Sequence, residues 1–267
     1  MLFAIEYNKV IRFAPLAIDQ PLKLFKYYQP FIDYIKKETG YTIELVYYPN
    51  YKKSMEALKN GELEIGEYGP LAYVQLYNEC NSAQVFLASK SKNNKAYYNC
   101  KIVTTDSHIN KISDITNNVH FNLTRKTSTC GYLIMEKMLQ EQGKTLENLS
   151  YEYKGPHTET ALDTILEYNS VGGIKLSVYQ KYKDLGLKVI ATSGTIMGFP
   201  LVYNNKLVPK VVIENIKKSL LKLNPFENVE HKELMKKWSK NCRYGYESVT
   251  HKDYLLIDQA MKDIVIP

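Results

Sequence analysis

The sequence predicts an α/β protein of two lobes, each built on a mainly parallel sheet with flanking helices. Three observations carry this expectation. Apolar strand-like runs alternate with amphipathic helical stretches along the chain, the order that buries a parallel sheet between helices. The alternation begins again near residue 97, after a first complete set. No internal repeat or low-complexity linker separates the two sets, which favours lobes joined by strands over independent domains. A chain of 267 residues can hold two cores. The first lobe is assigned to residues 1–98 and 204–267, the second to 99–203. Crossings are expected near 98–104 and 195–204.

The elements follow in order. KVIRFAPLA (9–17) is a short apolar run that reads as a buried strand. In 23–40, Leu24, Tyr27, Tyr28, Phe31, Ile32 and Ile35 share one helical face, Pro30 bends the helix or starts its main part, and Gly40 ends it. YTIELVYYP (41–49) alternates and reads as a strand. Ser54 is expected to cap a helix running through Leu58, which Gly61 ends. LEIGEYG (63–69) reads as a strand, and PLAYVQLYNE as a helix with proline in its first turn. The second set runs YYNCKIVTTD, HFNL, a helix from Ser128, LSYEYKG, a helix from Thr158, GGIKLSVY as strand-like, and LKVIATSG. FPLVYNN (199–205) and helices at 208–223, 230–238 and 253–263 close the chain.

Composition excludes several classes. Apolar content of 45% is that of a globular protein. No run of eighteen apolar residues exists to span a membrane. The formal charge of +7 comes from lysines spread along the chain, a field that attracts small anions. A nucleic-acid partner is not expected, because no basic stripe is interleaved with aromatics. The start, MLFAIEYNKVIRFAP, lacks the basic, apolar and small-residue order of an export signal. That leaves a cytosolic protein or a mature fragment restarted with methionine. Cys80, Cys100, Cys130 and Cys242 show no CxxC spacing, so neither zinc nor another metal is expected. One disulfide fits an exported protein. No cofactor is expected, since GxSxG, HExxH, P-loop and dinucleotide signatures are all missing.

The densest chemistry lies in TRKTSTCGY (124–132). Thr124, Thr127, Ser128 and Thr129 bring four hydroxyls beside Arg125 and Lys126, just before a helix. A helix start presents backbone N–H groups without internal partners at the positive end of its dipole, and so favours an anion. Gly131 allows close backbone approach. Two more loops join a strand to a helix start: YGPLAY (68–73) and GPHTETAL (155–162). In open α/β sheets ligands gather at the carboxyl ends of strands.

In these residues the chain resembles the phosphonate- and phosphate-type substrate-binding proteins of ABC importers, which share the two-lobed type II periplasmic binding fold. The resemblance spans nearly the whole chain. It rests on GPLAYV (69–74), the tyrosine before a strand at Tyr98, STCGY (128–132) and GPHTETAL. It implies that Thr127, Ser128, Thr129 and Cys130 hold an oxyanion at a helix N-terminus in the interlobe cleft. Tyr98, His157, Thr158, and Tyr68 with Gly69 and Pro70 would complete the pocket. Cys130 stands where the family has a second serine, and a thiol is a weaker donor. Where relatives that take aminoalkyl phosphonates carry acids, 168–179 has none and Phe199 occupies the later acidic position. An ammonium buried there without a carboxylate would be costly, so phosphite, phosphate or an alkylphosphonate is expected. The resemblance also implies a membrane permease as partner, a monomer, and a periplasmic or extracytoplasmic place compatible with a lipid anchor. Enzyme activity is not expected. Two alternatives stay open: a ligand-sensing domain for a membrane receptor, and a Cys–His enzyme using Cys130 and His157.

Overall fold

The computed structural model describes residues 7–16 and 20–267. Ala17, at the end of the first expected strand, lies outside them. In chain order come β1 (Ile11–Ala14), α1 (Pro21–Thr39), β2 (Ile43–Leu45), α2 (Tyr51–Lys59), β3 (Ile65–Glu67), α3 (Pro70–Glu79) and β4 (Ala83–Ser89). Then follow β5 (Tyr97–Tyr98), β6 (Cys100–Thr104), β7 (His120–Leu123), α4 (Tyr132–Gln140), β8 (Ser150–Tyr153), α5 (His157–Leu166), β9 (Ser170–Lys175), α6 (Leu176–Tyr182) and β10 (Lys188–Thr192). The chain closes with β11 (Ile196–Met197), β12 (Pro200–Asn204), α7 (Lys210–Leu221), α8 (Val229–Met235), β13 (Tyr246–Ser248) and α9 (Leu255–Asp263).

The chain divides into two compact units, the first containing residues up to Tyr97 and Met197–Tyr254, the second Tyr98–Ile196 and Leu255–Pro267. The chain therefore passes between units three times, not twice. Residues 197–203 belong to the first unit because β12 pairs with β3 and β4. Residues 255–267 belong to the second because α9 packs on α4.

Unit 1 holds a six-stranded sheet in the order β13-β4-β12-β3-β1-β2. The β1 pairings are parallel, while β12 and β13 run against their neighbours, so the sheet is mixed. Two of its strands, β4 and β13, have no counterpart in the sequence-based reading. On α1, Leu24, Tyr28, Phe31, Ile32 and Ile35 are buried as expected, but Tyr27 is 44% exposed. Phe31 packs edge-on to Trp238, ring centroids 5.4 Å apart, near the centre of this core. Asn50, not Ser54, caps α2, its side chain accepting from the Lys53 N–H at 3.0 Å. Ser54 lies one turn in and turns its hydroxyl to the core.

Unit 2 holds a five-stranded sheet in the order β10-β6-β9-β7-β8. Strand β9 ends at Lys175, and Leu176 begins a helix, so GGIKLSVY is half strand and half helix. The glycine pair explains the misreading. A Cβ on Gly172 would fall 2.1 Å from the Thr164 hydroxyl of α5, and one on Gly173 would fall 2.6 Å from Met135 of α4. Both helices press on β9 too closely for side chains. The core around Val103, Ala161, Ile174, Val178 and Leu187 lies beneath α5 and α6.

Candidate anion-binding edge

In unit 2, strands β7, β8, β9 and β10 run one way and β6 runs against them. One edge of the sheet thus collects four carboxyl ends and the start of β6. From it emerge Tyr98, the turn 124–131, the loop 154–156, Lys175 and Ser193.

Two backbone bonds join neighbouring loops there. Arg125 N–H donates to Gly155 O at 2.9 Å, and Lys154 N–H to Leu123 O at 2.8 Å. This sets His157, the first residue of α5, beside the turn, with its Nε2 3.5 Å from Ser128 Oγ. On the other side of the ring, Nδ1 accepts the Lys175 N–H at 3.3 Å. A nitrogen that accepts carries no proton, so the neutral ring keeps its hydrogen on Nε2, facing Ser128. Burial lowers the His157 pKa to about 3, and the cationic Lys175 and Arg125 reinforce the shift. At neutral pH the imidazole is an uncharged donor beside two cations.

Ser128 N–H donates to Arg125 O at 2.8 Å and Gly131 N–H to Ser128 O at 2.9 Å. These bonds curl 124–131 into a compact turn, so α4 begins at Tyr132 rather than at Ser128. The amide of Ser128 is committed within the turn. Gly131 is required here, because a Cβ would lie 2.7 Å from Arg125 O and 2.9 Å from Ser128 O. Thr129 is 4% exposed, and its side chain hydrogen-bonds the Tyr98 hydroxyl. Burial raises the Tyr98 pKa and that bond offsets part of the rise. Thr127 is exposed, and Ser128 and Thr158 are half-buried. The Thr124 hydroxyl is buried under the turn without a hydrogen-bond partner.

Cys130 is joined to Cys100 in a disulfide, with Cα atoms 5.4 Å apart. Two expectations are corrected by it. Cys130 is not a thiol donor in the turn expected to hold the anion, and it is not the nucleophile of the Cys–His alternative. Cys80 and Cys242 are free.

The residues expected from unit 1 are differently engaged. Tyr68 is fully buried. Its hydroxyl accepts from Ser54 Oγ at 3.0 Å and donates to Ser54 O at 3.2 Å, so the expected ligand hydroxyl is spent on α2. Its ring folds over Gly66, where a Cβ would sit 2.6 Å from it. Gly69 precedes α3 and Pro70 is its first residue, with no side chain capping that end.

Sequence reasoning did not assign Lys175 to the site. The signal was present in GGIK, which places a cation at the end of a strand whose neighbours carry the other donors. Among the described residues no cluster of His, Cys, Asp or Glu suits a metal ion.

A mixed-sheet pair of α/β units with donors at a strand edge is the architecture of type II periplasmic binding proteins, and solved structures share it. A binding-protein component of an ABC phosphonate transporter from Pseudomonas aeruginosa aligns with a TM-score of 0.71 at 19% identity, over 95% of this chain and 86% of that one. PhnD1 of Prochlorococcus marinus in complex with methylphosphonate aligns at 0.74 and 15%, over 96% and 98%. The aliphatic sulphonate binding protein SsuA of Escherichia coli aligns at 0.65 and 12%, over 96% and 86%. The family model for ABC transporter, phosphonate, periplasmic substrate-binding proteins matches residues 13–254. The chain belongs to that family, whose members are solute-binding components of importers.

Proposed function

We propose that this protein captures a small phosphorus oxyanion, with phosphite, phosphate and alkylphosphonates as the candidates, and delivers it to the permease of an ABC importer outside the cytoplasm. The observation that supports this most directly is the pairing of Ser128 with the Nε2–H of an uncharged His157, flanked by Lys175 and Arg125. Such a group offers hydrogen-bond donors and positive potential to oxyanion oxygens. Thr129 and Tyr98 extend the donor set. Each charged hydrogen bond contributes roughly 1.5–3 kcal/mol. Four of them, less the cost of immobilising the ligand, correspond to micromolar affinity or better, about −8 kcal/mol.

Regions 168–179 and 193–200 carry no acid, which favours anions without an amine. Calorimetry and thermal shift over phosphate, phosphite, methylphosphonate, 2-aminoethylphosphonate, sulfate and methanesulfonate test the proposal. A phosphorus anion should raise the melting temperature by mass action, and methylphosphonate should bind more tightly than its 2-aminoethyl counterpart. Binding confined to the sulfur anions would overturn the proposed ligand class. Tighter binding of the amine would overturn the preference within it.

A further inference from the structure

We propose that the Cys100–Cys130 disulfide positions the anion-binding turn, so that ligand capture depends on the oxidation of these two residues. The inference rests on the function proposed above. Cys130 lies inside the turn, between Thr129 and Gly131, and Cys100 opens β6 two residues after Tyr98. The bond therefore joins the backbones on either side of the Thr129–Tyr98 contact. Its two ends differ in rigidity. Cys100 is fixed in the sheet: its N–H donates to Ser193 Oγ at 2.9 Å, its carbonyl accepts the Ser193 N–H at 3.0 Å, and it stands opposite Lys175 in the β6–β9 register. Cys130 belongs to a turn whose outer residues Arg125, Lys126 and Thr127 are exposed. Backbone bonds hold that turn: two within it, one from Arg125 to Gly155, and one from the Met135 N–H of α4 to Gly131 O at 3.4 Å.

The covalent link carries the rigidity of the sheet into the turn. It removes conformational freedom that the ligand would otherwise have to remove on binding. Cys80 and Cys242, both in unit 1, stay free, so the paired cysteines are the two flanking the candidate site. Forming the bond takes two electrons and two protons from the thiols to an oxidant such as a small disulfide. A dithiol returns both and becomes a cyclic disulfide itself.

The experiment compares the oxidised chain with the same chain reduced by dithiothreitol, and with the Cys100→Ser/Cys130→Ser double variant. Calorimetry uses inorganic phosphate, phosphite, methylphosphonate and methanesulfonate as probes, and far-UV circular dichroism checks that each form is folded. The expected result is that the anion bound best by the oxidised chain binds roughly tenfold or more weakly once the bond is opened. Reoxidation should restore the affinity, and Cys80→Ser should leave the redox effect intact. Should the double variant fail to fold, reduction and reoxidation of the native chain give the same readout. Equal affinity in folded oxidised and reduced chains overturns the positioning role and leaves the proposed function standing. An oxidised chain that binds none of the four probes overturns the proposed function, and this inference with it.

Discussion

The two units follow the same strand–loop–helix order, yet they spend their polar groups in opposite ways. At the carboxyl edge of unit 1, the Tyr68 hydroxyl is bound to Ser54. The neighbouring Glu67 is buried, one oxygen accepting from the Tyr28 hydroxyl and the Leu16 N–H. At the corresponding edge of unit 2, His157 turns a donor toward Ser128 and stands beside Lys175 and Arg125. One unit buries an acid, the other holds a half-buried, uncharged base. A strand-to-helix turn with one glycine therefore does not say whether its side chains serve the fold or a guest. Following each donor to its acceptor does.

The contrast has a pH signature, and it carries the largest effect. Burial lifts the Glu67 pKa from 4.5 to about 7, with the bonds from Tyr28 and Leu16 pulling the other way. Tyr28, Cys242 and Tyr246 are the titratable neighbours. A raised pKa means that the folded state holds the proton more tightly than the unfolded chain. The resulting stability is fully present below pH 4.5 and is lost as pH rises through about 7, a change of about 3 kcal/mol. Urea unfolding of the wild type and Glu67→Gln across this range should show their stability difference shifting by that amount; a flat difference refutes the buried acid. His157 has the opposite sign. Its pKa falls from 6.5 to about 3, so its contribution is full above pH 6.5 and is lost as pH drops toward 3. The difference between wild type and His157→Gln should move in that direction.

A second test breaks the comparison sterically. Gly131→Ala forces a methyl against Arg125 O and Ser128 O. It should cost about 2 kcal/mol of stability and abolish anion binding, both readable by thermal unfolding and calorimetry. Gly69→Ala in unit 1 comes nearest to the Tyr51 side chain, its hydroxyl at 3.3 Å and ring carbons at 3.6 and 3.7 Å, and should cost less.

Much of this was legible in the sequence because local chemistry sets it. The apolar face of α1, HFNL as a strand, and proline at the start of α3 depend on residues adjacent in the chain. What escaped depends on distant partners. Strand β13 is three residues long and exists through its pairing with β4. Helix α9 is amphipathic, and only packing decides which core receives it. The turn at Ser128 read as a helix start because hydroxyls before an apolar run suggest a cap, whereas its own backbone bonds delay the helix to Tyr132. The Cys100–Cys130 pair, 30 residues apart, gave no local signal. In the chain-entropy view a loop of that size stabilises by about 3–4 kcal/mol.

The finest test sets one hydroxyl against another. Ser128→Ala removes a half-buried group facing His157 Nε2. If it serves the ligand, calorimetry with the best phosphorus anion should show affinity falling about tenfold, while the urea midpoint stays nearly constant. Tyr68→Phe removes a fully buried hydroxyl bound to Ser54. It should cost about 1 kcal/mol of stability and leave anion affinity nearly unchanged. The two substitutions delete the same chemical group at matching places in the two units, so reversed outcomes would move the ligand contact from the Ser128 turn to the Tyr68 turn.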